Sequence, residues 1–341
     1  MYSESDIDGA VAAGVMPARV ATDFRNHVAG LRATPTVDEE HFRLLTGFND
    51  IFVAIAITLL LVAVGQIGSQ VAAWAGALLV AATAWGLAEY FTRRRRMALP
   101  SILLLAAFVA GVAGALAGIA AEIVSDPSDR VAALIGAIVA ALTAAAALLH
   151  WRRFTVPITV AAGALALAGV AIALLLAIVP QAKEAIWPLL LAAGLIVFAV
   201  AMRWDMSDRE RQTRRSDVAF WLHLAAAPMI AHSTFQMLGV FDGEIGLATA
   251  VVVLALYVLF AGIALAVDRR ALLVSSLAYV LYAIYSLIRS AGAIELSAAF
   301  TALLIGSALL TLSAFWQPMR QLVVARLGTL AERLPPVQLA L

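Results

Sequence analysis

The sequence predicts an all-α, polytopic transmembrane helix bundle of about ten spans. It adds a short cytoplasmic helical segment at the N-terminus and an amphipathic helix at the C-terminus. Three observations carry this. First, 63% of the 341 residues are hydrophobic and 13% are charged, with a mean hydropathy of +0.96. A soluble domain is roughly half apolar and about a quarter charged. Second, the apolar residues fall into ten runs that approach the ~20 residues needed to cross hydrocarbon. Third, the basic residues collect in every second turn between those runs.

Residues 1–47 precede the first apolar run. Acids are spread through them (Glu4, Asp6, Asp8, Asp23, Asp38, Glu39, Glu40), so no signal peptide is expected. Ser3 with Asp6 three residues on reads as a cap for a short helix. Gly14 and Pro17 break it, a second helix runs from Pro17 to about Leu31, and Thr34-Pro35-Thr36 is a further break. Two short helices bury little core, so this piece is expected to dock on the membrane domain or stay mobile.

The spans fall near 49–67, 71–91, 100–123, 131–151, 155–179, 184–203, 216–238, 245–267, 271–290 and 294–316. They make one transmembrane domain, 48–317. With the N-terminus inside, 20 of the 23 basic residues lie on the cytoplasmic side, and only Arg130, Lys183 and Arg289 lie opposite. The positive-inside rule requires this bias. An even number of spans then places both termini in the cytoplasm of a bacterial inner membrane.

The longest polar connection within that domain runs from Arg203 to Asp217, where Ser207 and Glu210 have capping-box spacing. Residues 318–341 form a cytoplasmic interfacial tail. Its apolar residues have helical spacing from Met319 to Leu334, and Pro335-Pro336 ends the pattern. Phe48-Asn49-Asp50-Ile51 and Arg215-Ser216-Asp217-Val218 each open a span with a polar cap and an acid, a hint of a parallel repeat six spans apart. Gly114-x-x-x-Gly118 in the third span reads as a close-packing face within the bundle.

Ionisable residues in a span cost roughly 2.5–3.5 kcal/mol at its centre, so each calls for a reason. Asp50 and Asp217 stand at helix N-termini, where a carboxylate satisfies free N–H groups and favours the dipole. Glu89 lies four residues before Arg93 and can pair with it. Alternatively, Asn49, Asp50, Glu89, His150 and His223 converge on a polar cytoplasmic vestibule. The seventh span is the least ordinary, with His223, Pro228, His232, Ser233, Thr234 and Gln236. Nine residues turn a straight helix by roughly 180°, so His223 and His232 cannot share one metal there. Pro228 between them is expected to kink the helix and free a carbonyl near Leu224. His232 and Gln236 share a face. Broken polar helices of this kind hold substrate or relay protons in transporters. In the ninth span Tyr279, Tyr282, Ser286 and Arg289 follow one face that could line an aqueous path, or else Tyr285 and Arg289 anchor the outer interface. Glu295, across the following turn, is the natural partner of Arg289.

Several classes are excluded. There is no cysteine, so there are no thiolate metal sites, cysteine nucleophiles or disulfides. A net charge of +1 argues for no nucleic-acid partner. Walker A, zinc-protease and nucleophile-elbow motifs are absent, as are a voltage-sensing arginine ladder and a paired-histidine haem site. No metal or cofactor is expected, and an enzyme is not the leading expectation.

The stretches Ser3-Glu4-Ser5-Asp6 and Ala13-Gly14-Val15, and the runs Gly47-Phe48-Asn49-Asp50-Ile51-Phe52 and Arg215-Ser216-Asp217-Val218-Ala219-Phe220-Trp221, carry a resemblance. With the Ala/Leu spans around them, the chain resembles bacterial multi-pass predicted-membrane-protein families of unknown function. The resemblance implies no activity and no functional residues. Three expectations follow from the residues themselves. A transporter or permease for a small solute would use His223, His232, Gln236 and Tyr282, with Asp50 and Glu89, for substrate or proton relay around a kink at Pro228. A membrane-embedded enzyme acting on a lipid-type substrate would use the cytoplasmic acids with His150 or His223. A non-catalytic assembly or regulatory protein would dock through its N-terminal segment and the Arg203–Asp217 loop. The lipid bilayer is a partner in all three and a small-molecule substrate in the first. Oligomeric state is not read from the sequence.

Overall fold

In hydrocarbon a backbone polar group has no water to bond, so an apolar run must satisfy its N–H and C=O groups internally, as a helix does. The computed structural model describes residues 4–24, 48–211, 213–240, 246–290 and 297–337, and among them every regular element is helical. The chain divides into two compact units, Met1–Phe42 with Gln338–Leu341, and Arg43–Val337. The first contains α1 (Glu4–Ala12) and α2 (18–24), separated by Gly14 with φ +72°. The rest of the expected second helix, the Thr34-Pro35-Thr36 break and Glu295 lie outside the described residues.

The second unit holds α3 (Phe48–Ser69), α4 (Ala73–Ala88), a π-helical turn (Glu89–Arg94), α5 (Ala98–Ile123), α6 (Asp129–Phe154) and α7 (Ile158–Ile178). A 3-10 turn (Pro180–Ala185) leads into α8 (Ile186–Met206) and α9 (Arg214–Met237), followed by α10 (Leu247–Val267), α11 (Ala271–Ser290) and α12 (Ser297–Ala314). The chain then forms α13 (Trp316–Val324) and a last 3-10 turn (Gly328–Arg333). A helix stands at each of the ten expected positions, and the chain is a multi-pass integral membrane protein.

The number of spans is nevertheless smaller than ten. Among the described residues seven helices are long and apolar enough to cross a membrane, or eight if α12 and α13, bent by 73°, form one span. The physical reasons are local. α4 has 16 residues of α geometry before it widens into a π turn carrying Glu89, Arg93 and Arg94. α11 has 20 residues and carries Arg289 in its last turn. The tail also departs from expectation. Its α-helix starts at Trp316 and stops at Val324, and Gly328 with φ +55° turns the chain into the 3-10 segment.

Helices adjacent in sequence pair most extensively, as α6 with α7, α8 with α9 and α4 with α5. Small residues set the closest approaches. A Cβ placed on Gly111 would stand 2.8 Å from the Ala77 carbonyl, and one on Gly118 would stand 2.8 Å from Trp74 Cβ. The Gly114-x-x-x-Gly118 face therefore packs α5 on α4 inside the bundle. Ile57, Leu61, Ala84, Ala88, Leu104, Phe154 and Val156 make the main core of this half. α7 and α8 are the exception among neighbours and touch little; α7 reaches the second half chiefly through α9.

The basic turns meet at one end of the bundle. Arg153 at the end of α6 donates to Glu89 beyond α4 at 2.6 and 3.0 Å, and Arg214 at the start of α9 donates to Thr155 Oγ1 in the α6–α7 turn at 3.1 Å. Arg211 donates to Asp268 Oδ2 in the α10–α11 turn at 2.8 Å. At the other end Trp74 Nε1 donates to Glu122 at 2.9 Å, and Lys183 to Asp129 at 2.6 Å.

Candidate functional site

α9 is the central helix of the bundle. Of its most apolar 18-residue stretch 61% is buried, against 11–33% for the other six membrane-length helices. It is also the least apolar of the seven, so its neighbours shield its polar groups from lipid. Thr213 caps it by accepting from the Arg215 N–H at 3.2 Å, while Asp208 accepts from the Thr213 N–H and hydroxyl at 2.9 and 2.6 Å. The start is therefore specified by Asp208 and Thr213; Ser207 instead donates to the Trp204 carbonyl. α9 runs as one helix through Pro228 to Met237.

Its two histidines are tied to different helices. His223 Nε2 lies 3.0 Å from Asp205 Oδ2 on α8. Asp205 is also gripped by Arg269, whose Nη2 donates to Oδ1 at 2.6 Å and whose Nε donates to Oδ2 at 3.2 Å. Arg269 further donates to the Ser216 carbonyl at 3.2 Å. All three ionisable groups are buried, at 1%, 2% and 5% exposure for Asp205, His223 and Arg269. Phe198 lies edge-on to His223 at 4.9 Å. Farther along α9, His232 Nδ1 and the Tyr279 hydroxyl of α11 share a hydrogen bond, and Trp187 lies edge-on to the His232 ring at 5.1 Å. Gln236 is half-buried one turn on, and Tyr282 is half-buried on α11.

Next to the buried triad a second set closes the same end. Trp316 Nε1 donates to Asp268 Oδ1 at 2.8 Å, and the fully buried Arg320 donates to the Pro335 and Pro336 carbonyls at 2.6 and 3.0 Å. The tail is thereby clasped to the α10–α11 turn. Sequence reasoning missed Asp205, Arg269, Asp268 and Arg320. Asp205 falls two residues beyond the expected end of its span, and the arginines had an adequate explanation as topology signals.

The remaining expected residues are distributed over the first half. Asp50 is buried at 3% exposure and lines a cavity of 510 Å³ with Asn49, Tyr90 and Arg95. Glu89 is occupied by Arg93 and Arg153. His150 is fully buried among Trp85, Phe108 and Phe154; its Nδ1 meets Thr159 Oγ1 at 3.3 Å and its Nε2 has no partner. The expected vestibule residues Asn49, Asp50, Glu89, His150 and His223 thus fall in four settings: the Asp50 cavity, a Glu89–arginine cluster, the aromatic box around His150 and the Asp205 pairing of His223. Among the described residues no group of three His or acidic side chains is arranged to hold a metal.

A further concavity is apolar. Where α7 and α8 diverge, α6, α7 and α8 enclose a groove of 800 Å³, within the ~300–1,000 Å³ typical of ligand sites. Its floor is small-residued, with Ala144, Gly163, Ala164, Ala168 and Ala193 among its lining. Leu148, Leu167, Ile196 and Val200 line it and are also exposed, so it opens onto the lipid-facing surface. Trp151 and Trp204 line it as well, each close to the basic end of its helix.

Comparison of the chain with protein-family models, curated proteins and solved structures finds no match.

Proposed function

We propose that this membrane protein binds a lipid-type, membrane-dissolved ligand in the groove between α6–α7 and α8. The observation that carries it is the groove itself, an open apolar cleft of ligand size where two sequence-adjacent helices fail to pack. A ligand already dissolved in hydrocarbon reaches such a cleft sideways and needs no aqueous path. Without a polar partner array, the groove supports binding or handling of the ligand more than its chemical conversion. The lipid-enzyme alternative requires Asp50, Glu89 and His150 to act on one ligand. Glu89 is held by two arginines and His150 is sealed among aromatic rings, which weighs against it. The test is photocrosslinking with a diazirine-bearing lipid, followed by peptide mapping. Labels concentrated on 141–171 and 193–204 support the proposal; labels spread evenly over all lipid-facing helices refute it.

A small-solute transporter remains the second reading, because the most polar helix, α9, is also the most enclosed. In that reading His232, Tyr279, Tyr282 and Gln236 are the substrate or relay groups, and His223 with Asp205 is a fixed anchor. Unchanged uptake, efflux and proton coupling in His232→Ala and His223→Ala proteoliposomes would end it. Either reading places the protein in a bacterial inner membrane with its basic end, and both termini, in the cytoplasm.

A further inference from the structure

At one end of the groove the lining tryptophans have arginines beside them in sequence, and that pairing suggests a ligand class. Trp151 and Trp204 line the groove where α6 and α8 finish. Each is followed or preceded at once by an exposed arginine, Arg152 and Arg203. Arg214 is exposed as well, and its bond to Thr155 ties the start of α9 to the same α6–α7 turn. Of the nearby acids, Asp217 interacts with Arg269 and Arg214, and three others are committed away from Arg152 and Arg203. Glu89 takes Arg93 and Arg153, Asp205 takes Arg269 and His223, and Asp208 caps α9 through Thr213. Among the described residues Arg152 and Arg203 have no carboxylate partner, and so their charge is available to an external anion.

We infer that the groove is a site for an anionic phospholipid, with an acyl chain along the alanine floor and the phosphate at Arg152, Arg203 and Arg214. The inference rests on the groove reading above. Three physical features agree on it. An indole pair at the mouth suits the headgroup–hydrocarbon boundary, where tryptophan is favoured. Guanidinium matches a phosphate with paired donors. Basic pockets between helices on the cytoplasmic side are a recurrent means of holding anionic headgroups. The positive-inside bias accounts for arginines in this turn; the equally basic α4–α5 turn adjoins the smaller Asp50 cavity, which carries a carboxylate and so suits an anion less well.

The experiment compares retained lipid by native mass spectrometry. The full chain is reconstituted in bilayers of phosphatidylglycerol and phosphatidylcholine with identical acyl chains. Wild type is expected to retain the anionic lipid preferentially. R152Q/R203Q should weaken that preference about fivefold for each arginine removed while still retaining lipid. R94Q/R96Q, an equal charge change in an exposed turn away from the groove, should keep the preference. Equal loss in both doubles, or no loss in R152Q/R203Q, overturns the headgroup site. The groove reading itself is tested by Ala168→Phe and the milder Ala164→Leu, which fill the floor. If either folded variant retains lipid as wild type does, the groove is not the site, whatever the arginines do.

Discussion

Asp205 of α8 joins α9 and the α10–α11 turn through one carboxylate. Both its oxygens are used, and both its partners are charged or chargeable groups shut away from solvent. Removing one member of a buried ion pair leaves the other charge without compensation, which costs about 3–5 kcal/mol. Asp205→Ala should therefore lower unfolding stability by about that amount in a denaturant titration. Changing both partners to apolar residues of similar size, D205L with R269M, should recover most of the loss; a double variant as unstable as the single would show that the carboxylate acts in some other way. His150 makes the opposite case. Its Nε2 is buried without a partner among aromatic rings. An orphaned polar atom is unfavourable, so His150→Phe is expected to be neutral or stabilising by about 1 kcal/mol in the same titration. A large loss would reveal a polar partner that the structure does not contain. Neither role was legible in the sequence. His150 and His223 look alike there, as single histidines in alanine-rich runs. Only the neighbouring helices distinguish an ion-paired ring from an aromatic-boxed one.

At the scale of elements, length and absence of charge located every helix, because in hydrocarbon an uncharged run has few structural alternatives. Helix ends were less legible. α9 begins where Asp208 and Thr213 cap it, a pairing that depends on the loop folding back on itself. The tail helix ends at Val324 and Gly328 turns left-handed four residues later, neither of which apolar periodicity reveals. Helix approach distances were partly visible through glycine, and two glycines of α4 make a matched test. A Cβ on Gly76 would lie 2.6 Å from the Gly65 carbonyl of α3, backbone that cannot give way; a Cβ on Gly86 would meet nothing within 4 Å. Gly76→Ala should therefore cost about 1–3 kcal/mol by overpacking. Gly86→Ala should be stabilising by about 0.5–1 kcal/mol through helix propensity. Equal effects of the two in a thermal or denaturant assay would mean that α3 and α4 are not in contact at Gly65.

The topology of the whole molecule follows from alternation. Glu89 with Arg153, Thr155 with Arg214, and Arg211 with Asp268 bring the second, fourth, sixth and eighth of the expected turns, counted from α3, to one end. Lys183 with Asp129, and Trp74 with Glu122, stand at the other. Such alternation needs α4 to traverse the bundle even though its α-helical part is only 16 residues long; its π turn supplies the remaining rise. The charge bias in the sequence gave the same alternation without any structure, since 20 of 23 basic residues fall on one side of a ten-span path. Counting only the seven or eight helices of full length keeps the arginine-rich turns between α4 and α11 on one side, because α5 to α10 all qualify, but puts the segment before α3 opposite them. The two counts are separable by experiment because the chain has no cysteine. Single cysteines at Arg19, Arg94, Arg270 and Arg326 should react with a membrane-impermeant maleimide in inside-out vesicles, and those at Asp126 and Glu184 only in right-side-out vesicles. If Arg19 and Arg94 label from opposite faces, α3 or α4 does not cross; if Arg270 and Arg326 do, α11 or α12 does not, and the ten-span path is broken there.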